Sequence, residues 1–334
     1  MKVLKWILIV ILALLVLLIV VGYTMPREVV VTTSEEIALP PQKVFHFVAG
    51  FVDRTAWDPW IKVDTATKCS FDIKQGYVGS KYSWTGPKIG SGSMQVDSVV
   101  IGSYILNSVN FTKGAPIPEI WTFAPSEKGT SLTWTIKMSS ASPVGRIMNS
   151  MFKGMIQKTI ESGKGDLKNY LESHGVIMSS VSEIGVEEFP EIDALVSSVS
   201  GNMQQVATLL SECYSKVFAE IQKQSLQPQG SPFAYYSGYD PETGIYTMTA
   251  GMPVSSGAKS SGDVKAVKYK AFKAVKALHT GPYDEMQPSY EAIMEYAKTN
   301  NLKLGSESWE FYMNDPSEIK DPTLLQTIIA MPVK

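Results

Sequence analysis

The carboxylate best placed to do chemistry in this 334-residue chain is Glu310, within an aromatic run from Ser308 to Tyr312 that is closed by Asp315 and Pro316. In a strand, Glu310 and Tyr312 share one face and Trp309 and Phe311 the other. An edge strand leaves Glu310 in water. If the Glu310 face meets the interior, the carboxylate stands among aromatic rings. It must then find a partner, take up a proton or meet a ligand cation. Two chemistries follow from the interior placement. The carboxylate can hold a cation by direct charge, with each ring adding cation–π attraction of about 0.5–2 kcal/mol. It can also serve as general base on a water molecule. Without a ligand, desolvation raises its pKa.

Other reactive residue types are sparse. The two cysteines, Cys69 and Cys213, fall in different halves of the chain, which excludes a disulfide framework and a four-cysteine zinc site. His46, His174 and His279 have no metal-ligand spacing, and His279 reads as a structural residue in a strand. No metal, no cofactor and no nucleophile–base pair is expected. A net charge of −2 and 19% charged residues give no basic stripe for nucleic acid. An apolar share of 44% over this length suits two folded domains of ordinary size.

The elements that would position Glu310 occur twice. A strand over 194–200, Gly201 and a helix over 203–224 lead to the aromatic run Phe233–Tyr239, which is followed by Asp240 and Pro241. A strand over 273–280, Gly281 and a helix over 283–300 lead to the run containing Glu310. Both halves close on Met-Pro-Val, at Met252 and Met331; the offset is 80 residues at the glycines and 79 at the closes. This predicts two copies of a β-α-β-β unit. They form one antiparallel sheet with both helices on one face and a groove at the pseudo-two-fold axis. Tyr236 then corresponds to Tyr312, and Ala234 occupies the place of Glu310. Tyr235 and Trp309 point away from the groove if Tyr236 and Glu310 point in. The alternating lysines from Lys259 to Lys276 read either as a solvated strand face or as a patch for anionic headgroups.

The motifs HTGPYDEMQPSYEAIMEYAKTNNL, SWEFYMNDP and TLLQTIIAMPV resemble the GyrI-like effector-binding domain of multidrug-sensing regulators, over 181–334. The resemblance implies a cleft for small cationic or aromatic molecules, with a buried glutamate in the second aromatic strand. Glu310 matches that residue, and Tyr312 and Tyr283 match aromatic positions. It also implies that a hydrolase using a glutamate is an alternative. The DNA-binding helix-turn-helix that regulators place before this domain is absent, which argues against a transcriptional role.

Residues 30–174 read as one short helix, about six short strands and a long helix from Val144 to His174, an α+β plan. Leu132, Trp134, Ile136 and Met138 alternate on one strand face. Ile147, Met148, Met151, Met155, Ile156, Ile160, Leu167 and Leu171 form a helical stripe that should lie on the concave face of the sheet. The runs IALPPQKVFHFVAGFVDRTAWDPW, YSWTGPKIGSGSMQVDSV and SPVGRIMNSMFKGMIQKTIESGKGDLKNYLE resemble the START/polyketide-cyclase-like (SRPBCC) helix-grip superfamily. That resemblance implies a hydrophobic pocket between sheet and helix, lined by Trp84, Trp121, Trp134 and the methionines. Packed core is the alternative for these side chains.

No charged residue lies between Lys5 and Arg27, and Trp6 to Val21 is wholly apolar. As a helix this stretch spans about 31 Å, close to a hydrocarbon core. The run is too long, and its end too unlike a small-residue cleavage site, for a removed signal peptide. Lys2 and Lys5 outnumber Arg27, so the N-terminus is expected in the cytoplasm and the rest outside it. The organisation read from the sequence is thus a transmembrane anchor over 1–27, with residues 6–25 in the membrane, then domains over 30–174 and 181–334. The function it supports is a membrane-anchored, non-enzymatic small-molecule-binding protein with an apolar pocket and an aromatic, acidic cleft. The ligand-binding residues are Glu310, Tyr312, Tyr236, Tyr283, Trp134, Trp121 and Trp84. Alternatives are a hydrolase with Glu310 as base, and an envelope-stress or scaffold protein with vestigial pockets. The expected partners are a cationic or aromatic small molecule and the membrane, with a dimer possible and no nucleic acid.

Overall fold

The computed structural model describes residues 2–111 and 114–334. The chain divides into two compact units, one ending at Ile177 and one running from Met178 to Lys334.

The first unit opens with helix α1 (Lys2–Thr24), whose segment Val3–Thr24 is long and apolar enough to cross a membrane and is not buried in the protein. Strand β1 (Glu28–Ile37) follows, then three short helices, α2 (Pro41–Ala49), α3 (Arg54–Trp57) and α4 (Pro59–Val63). Proline at the first turn of α2 and α4 starts each helix where an amide would lack a partner anyway. Next come β2 (Lys68–Asp72), β3 (Lys81–Gly86), β4 (Gly90–Val100), β5 (Tyr104–Phe111), β6 (Ile117–Ser126) and β7 (Gly129–Ser139). With β1 they make an antiparallel sheet in the order β1-β7-β6-β5-β4-β3-β2. Helix α5 (Pro143–His174) closes the unit, capped by the Ser142 hydroxyl accepting from the Gly145 amide.

The long helix departs from the expected stripe. Ile160, Leu167 and Leu171 are buried, as the spacing predicts. Met148, Met151 and Met155 are exposed by 47%, 73% and 51%, so the expected lining by methionines is not made. Helix α5 runs along β1. Gln157 donates to the Thr32 carbonyl, Lys164 to that of Ser34, and Glu172 accepts from the Ala38 amide. Helix and strand thus run in the same direction. Close packing starts further on, where Gly163 meets Pro59 and Trp134 so tightly that a Cβ would stand 2.6 Å from the proline ring.

The second unit contains two β-β-α-β-β repeats. The first is β8 (Ser180–Phe189), β9 (Ile192–Asn202), α6 (Val206–Lys223), β10 (Phe233–Asp240) and β11 (Ile245–Pro253). The second is β12 (Lys265–Tyr269), β13 (Phe272–Thr280), α7 (Gln287–Thr299), β14 (Ser308–Tyr312) and β15 (Gln326–Pro332). The sheet order is β12-β9-β11-β10-β14-β15-β13-β8, and all seven neighbouring pairs run antiparallel. To the duplicated β-α-β-β core each repeat adds a leading strand, and the two leading strands are exchanged. β8 pairs with β13 and β12 with β9. Two lysines of this region are paired with acids: Lys276 meets Glu187 at 2.6 Å and Lys268 meets Glu191 at 2.8 Å.

The exchange forces the sheet to curl. Only Lys270 and Ala271 separate β12 from β13, which stand at the first and seventh positions. Three steps of chain reach about 11 Å, whereas strands six positions apart in a flat sheet are about 29 Å apart. Aromatic rings fill the concave side that results. Tyr269 of β12 lies 4.8 Å from Trp309 in β14, and Phe189 of β8 lies 5.3 Å from Phe311. Phe233 completes this cluster; Gly251 across from it has no room for a Cβ, which would stand 2.2 Å from the ring. The opposite face carries α6 and α7, with Val217 and Ile221 packed on Leu195 and Ile293 and Ala297 packed on Val275, Ala277 and Ile329.

Candidate functional site

Glu310 lies in β14, paired with Ala234 of β10 on one side and Ile329 of β15 on the other. Ala234 in turn pairs with Ala250. Positions 250 and 329 are equivalent by the 79-residue offset of the two closes, so Ala234 and Glu310 occupy the same place in the two copies. They are also each other's partners across the junction of the repeats, so the pseudo-two-fold axis passes between them. The acid therefore stands on the axis, on the face that carries the helices, and is 6% exposed.

Three tyrosines donate to it. Tyr290 Oη lies 2.6 Å from Oε1, and Tyr312 Oη lies 2.8 Å from Oε2. Tyr236 Oη reaches Oε2 at 3.3 Å. Burial pushes the Glu310 carboxyl above the ordinary range, while the Tyr290, Tyr312 and Tyr236 hydroxyls pull it back in part. Burial, and after it the nearby Glu310 charge, push all three phenols up. The phenols thus stay protonated donors, and the carboxylate faces only hydroxyls among its close polar neighbours.

Tyr283 stands in the short turn after Gly281 and Pro282, 38% exposed, with its ring 5.3 Å from that of Tyr312 in an edge contact. It marks the rim. Gly281 has φ of 142°, and a Cβ there would meet Ser179 at 2.5 Å, so the turn requires glycine. Tyr214 of α6 meets Tyr312 edge-on at 6.3 Å, and its buried hydroxyl has no hydrogen-bond partner. The structure thus unites Glu310, Tyr236, Tyr283 and Tyr312, and turns Tyr235 and Trp309 to the concave aromatic side. Sequence reasoning missed Tyr290 and Tyr214. Tyr290 was recoverable, since Tyr290, Ile293 and Ala297 recur on one helical face. Tyr214 flanks the buried stripe of Leu210, Cys213 and Val217, which gives no sign that its hydroxyl is special. His279 is fully buried, with Nδ1 2.9 Å from the Ser289 hydroxyl and Nε2 3.1 Å from the Pro282 carbonyl, and burial lowers its pKa. It ties β13 to the start of α7.

The three tryptophans of the first unit are placed differently. Trp121 and Trp134 are fully buried and stack at 4.3 Å, while Trp84 stands apart against Tyr82 and Phe111. Beside the stack is a buried polar cluster that the sequence did not reveal. Trp134 Nε1 and Asn107 Nδ2 donate to Glu119 at 2.9 and 2.8 Å, and Arg54 Nε donates to Asp58 at 2.7 Å. The Arg54 guanidinium lies 4.4 Å from the Trp57 ring centre. Burial alone would lower the Arg54 pKa, but Asp58 and Glu119 outweigh it and raise it. Among the described residues no group of three or more His, Cys, Asp or Glu side chains is arranged to hold a metal ion.

Comparison with known proteins matches two segments in the order read above. Residues 28–172 match the family of polyketide cyclase/dehydrase and lipid transport proteins, and residues 182–334 match the GyrI-like small molecule binding domain. No curated protein matches the chain. Among solved structures, the C-terminal domain of EcmrR is 19% identical with a TM-score of 0.42, covering 47% of this chain and 99% of that one. EcmrR in its DNA complex is 17% identical with a TM-score of 0.41, covering 57% and 70%. An uncharacterized conserved protein from Listeria innocua is 16% identical with a TM-score of 0.36, covering 46% and 94%.

Proposed function

We propose that this chain is a membrane-anchored binding protein whose second unit takes a small cationic or aromatic molecule at Glu310. The observation that carries the reading is the buried carboxylate on the pseudo-two-fold axis, held by three tyrosine hydroxyls beneath an exposed Tyr283. A cation entering there replaces lost hydration with a full charge and ring faces. The match of 182–334 to a small molecule binding domain supports the same reading. An apolar ligand is proposed for the interior of the first unit beside Trp84, Trp121 and Trp134, supported by a family match whose description includes lipid transport. The proposed modules are an anchor over 1–27 and binding domains over 30–174 and 181–334. The anchor would leave the N-terminus in the cytoplasm and both domains outside it.

The test is titration of the detergent-solubilised chain with a cationic aromatic dye and a neutral analogue of the same shape. Glu310→Gln should weaken the cation about 10-fold or more, the worth of a charged hydrogen bond, and leave the neutral analogue nearly unchanged. Equal affinity of wild type and variant for the cation would remove the reading. A reporter fused after Lys334 tests topology: activity confined to the cytoplasm reverses the proposed orientation. A second reading, hydrolysis with Glu310 as general base, is favoured by the raised pKa of its carboxyl. Turnover of ester substrates that disappears in Glu310→Gln would establish it.

A further inference from the structure

We infer that the cleft recognises a two-ended ligand, with a cationic or hydrogen-donating end for Glu310 and an oxygen acceptor for the hydroxyl of Tyr214. The inference rests on the small-molecule reading of the cleft given above and specifies the ligand class.

Tyr214 belongs to α6, and its ring packs beside Ala234, Tyr236 and Tyr312. Its hydroxyl is buried and meets no hydrogen-bond partner, unlike those of Tyr236, Tyr290 and Tyr312, which all bond to Glu310. An unpaired buried hydroxyl is costly, and native proteins rarely retain one without a ligand or a water to satisfy it. Its place follows from the duplication. Ala234 is the counterpart of Glu310, and its short side chain leaves the first-copy side of the groove without an acid. Tyr214 packs on the cluster that contains Ala234, with its ring 6.3 Å from that of Tyr312. Its own counterpart by the 80-residue offset is Met294, which is 46% exposed and carries no hydroxyl. The site therefore holds an acceptor, the Glu310 carboxylate, and a donor without a protein partner, the Tyr214 hydroxyl. Burial and the Glu310 charge keep the Tyr214 phenol protonated, so it acts as a donor at neutral pH. A ligand with a cationic ring and a ketone, ester or ether oxygen matches both ends. A plain cation matches one.

The experiment uses the full chain in detergent and two N-methylpyridinium probes, one acetyl-substituted and one ethyl-substituted. They share charge and shape and differ in the carbonyl oxygen. Titration calorimetry should show wild type preferring the acetyl probe about 5-fold, the worth of one neutral hydrogen bond. Tyr214→Phe should bring the ratio of the two affinities to about one. Glu310→Gln should weaken both probes together. No preference in wild type, or a preference that survives Tyr214→Phe, overturns the inference while leaving the Glu310 reading intact. Failure of both probes to bind wild type overturns both. Thermal unfolding supplies an independent check. Because the hydroxyl has no partner in the folded chain, Tyr214→Phe should hold or raise the melting temperature, and a clear drop also counts against the inference.

Discussion

At the scale of single residues, the duplicated domain explains why only one copy carries the acid. Positions 234 and 310 are direct partners across adjacent strands. Side chains so paired stand about 4.5–5.5 Å apart, where two carboxylates would repel and neither could be well hydrated. One acid and one alanine is the arrangement that a buried axis tolerates. Because burial raises the Glu310 pKa, the folded chain holds this proton more tightly than the unfolded chain does. The associated stability is fully present below the unfolded carboxylate value and is lost as pH rises through the raised folded value. Melting temperatures should therefore show Glu310→Gln gaining on wild type as pH climbs out of the acid range, then levelling. A difference that does not vary with pH would mean that Glu310 does not titrate in this window. In the first unit, Arg54 lies between Asp58 and Glu119 with its charge fully buried. Arg54→Met would leave those carboxylates uncompensated, at a cost of about 3–5 kcal/mol by thermal unfolding. A loss below about 1 kcal/mol would show that the cluster is hydrated instead.

At the scale of elements, alternation and helical spacing revealed most of what was buried. The Glu310 strand was read with the correct faces, because a period of two leaves no freedom once one side chain is known to point inward. The long helix was read correctly only from Ile160 onward. Its methionines follow the same spacing as the buried leucines, and nothing local says where along the helix close packing begins. Close approaches were also illegible. Gly251 looks like any strand glycine, yet it faces the Phe233 ring at a distance that admits no Cβ. Gly251→Ala should destabilise the second unit by about 1–3 kcal/mol through overpacking. Gly238→Ala in the neighbouring strand, where nothing lies within 4 Å, is the control and should change stability far less. Similar melting temperatures for the two variants would refute the packing account.

At the scale of the whole molecule, the division after Ile177 makes an independent prediction. The fragment 178–334 keeps the Met178 amide bond to Glu285, the exchanged strand β8 and the complete sheet. It should fold alone, unfold in one cooperative transition and retain cation binding. A fragment with dispersed secondary structure but no cooperative transition would show that the second unit depends on the first. The sequence by itself determined the apolar N-terminal helix, the α+β class, the order of the two family-like segments and the duplication with its single acid. The helix, the class and the duplication rest on composition, on periods of 2 and 3.6 residues and on repeats along one chain, and the order of the segments rests on motifs that resemble known families. Only the tertiary structure decided that the leading strands are exchanged, that Glu310 faces Ala234 on the axis, that Tyr290 bonds to Glu310 and that Tyr214 packs against Tyr312. Those facts depend on contacts between residues 20 to 100 positions apart, where strand pairing and the packing of the helices on the sheet rather than any spacing bring the side chains together.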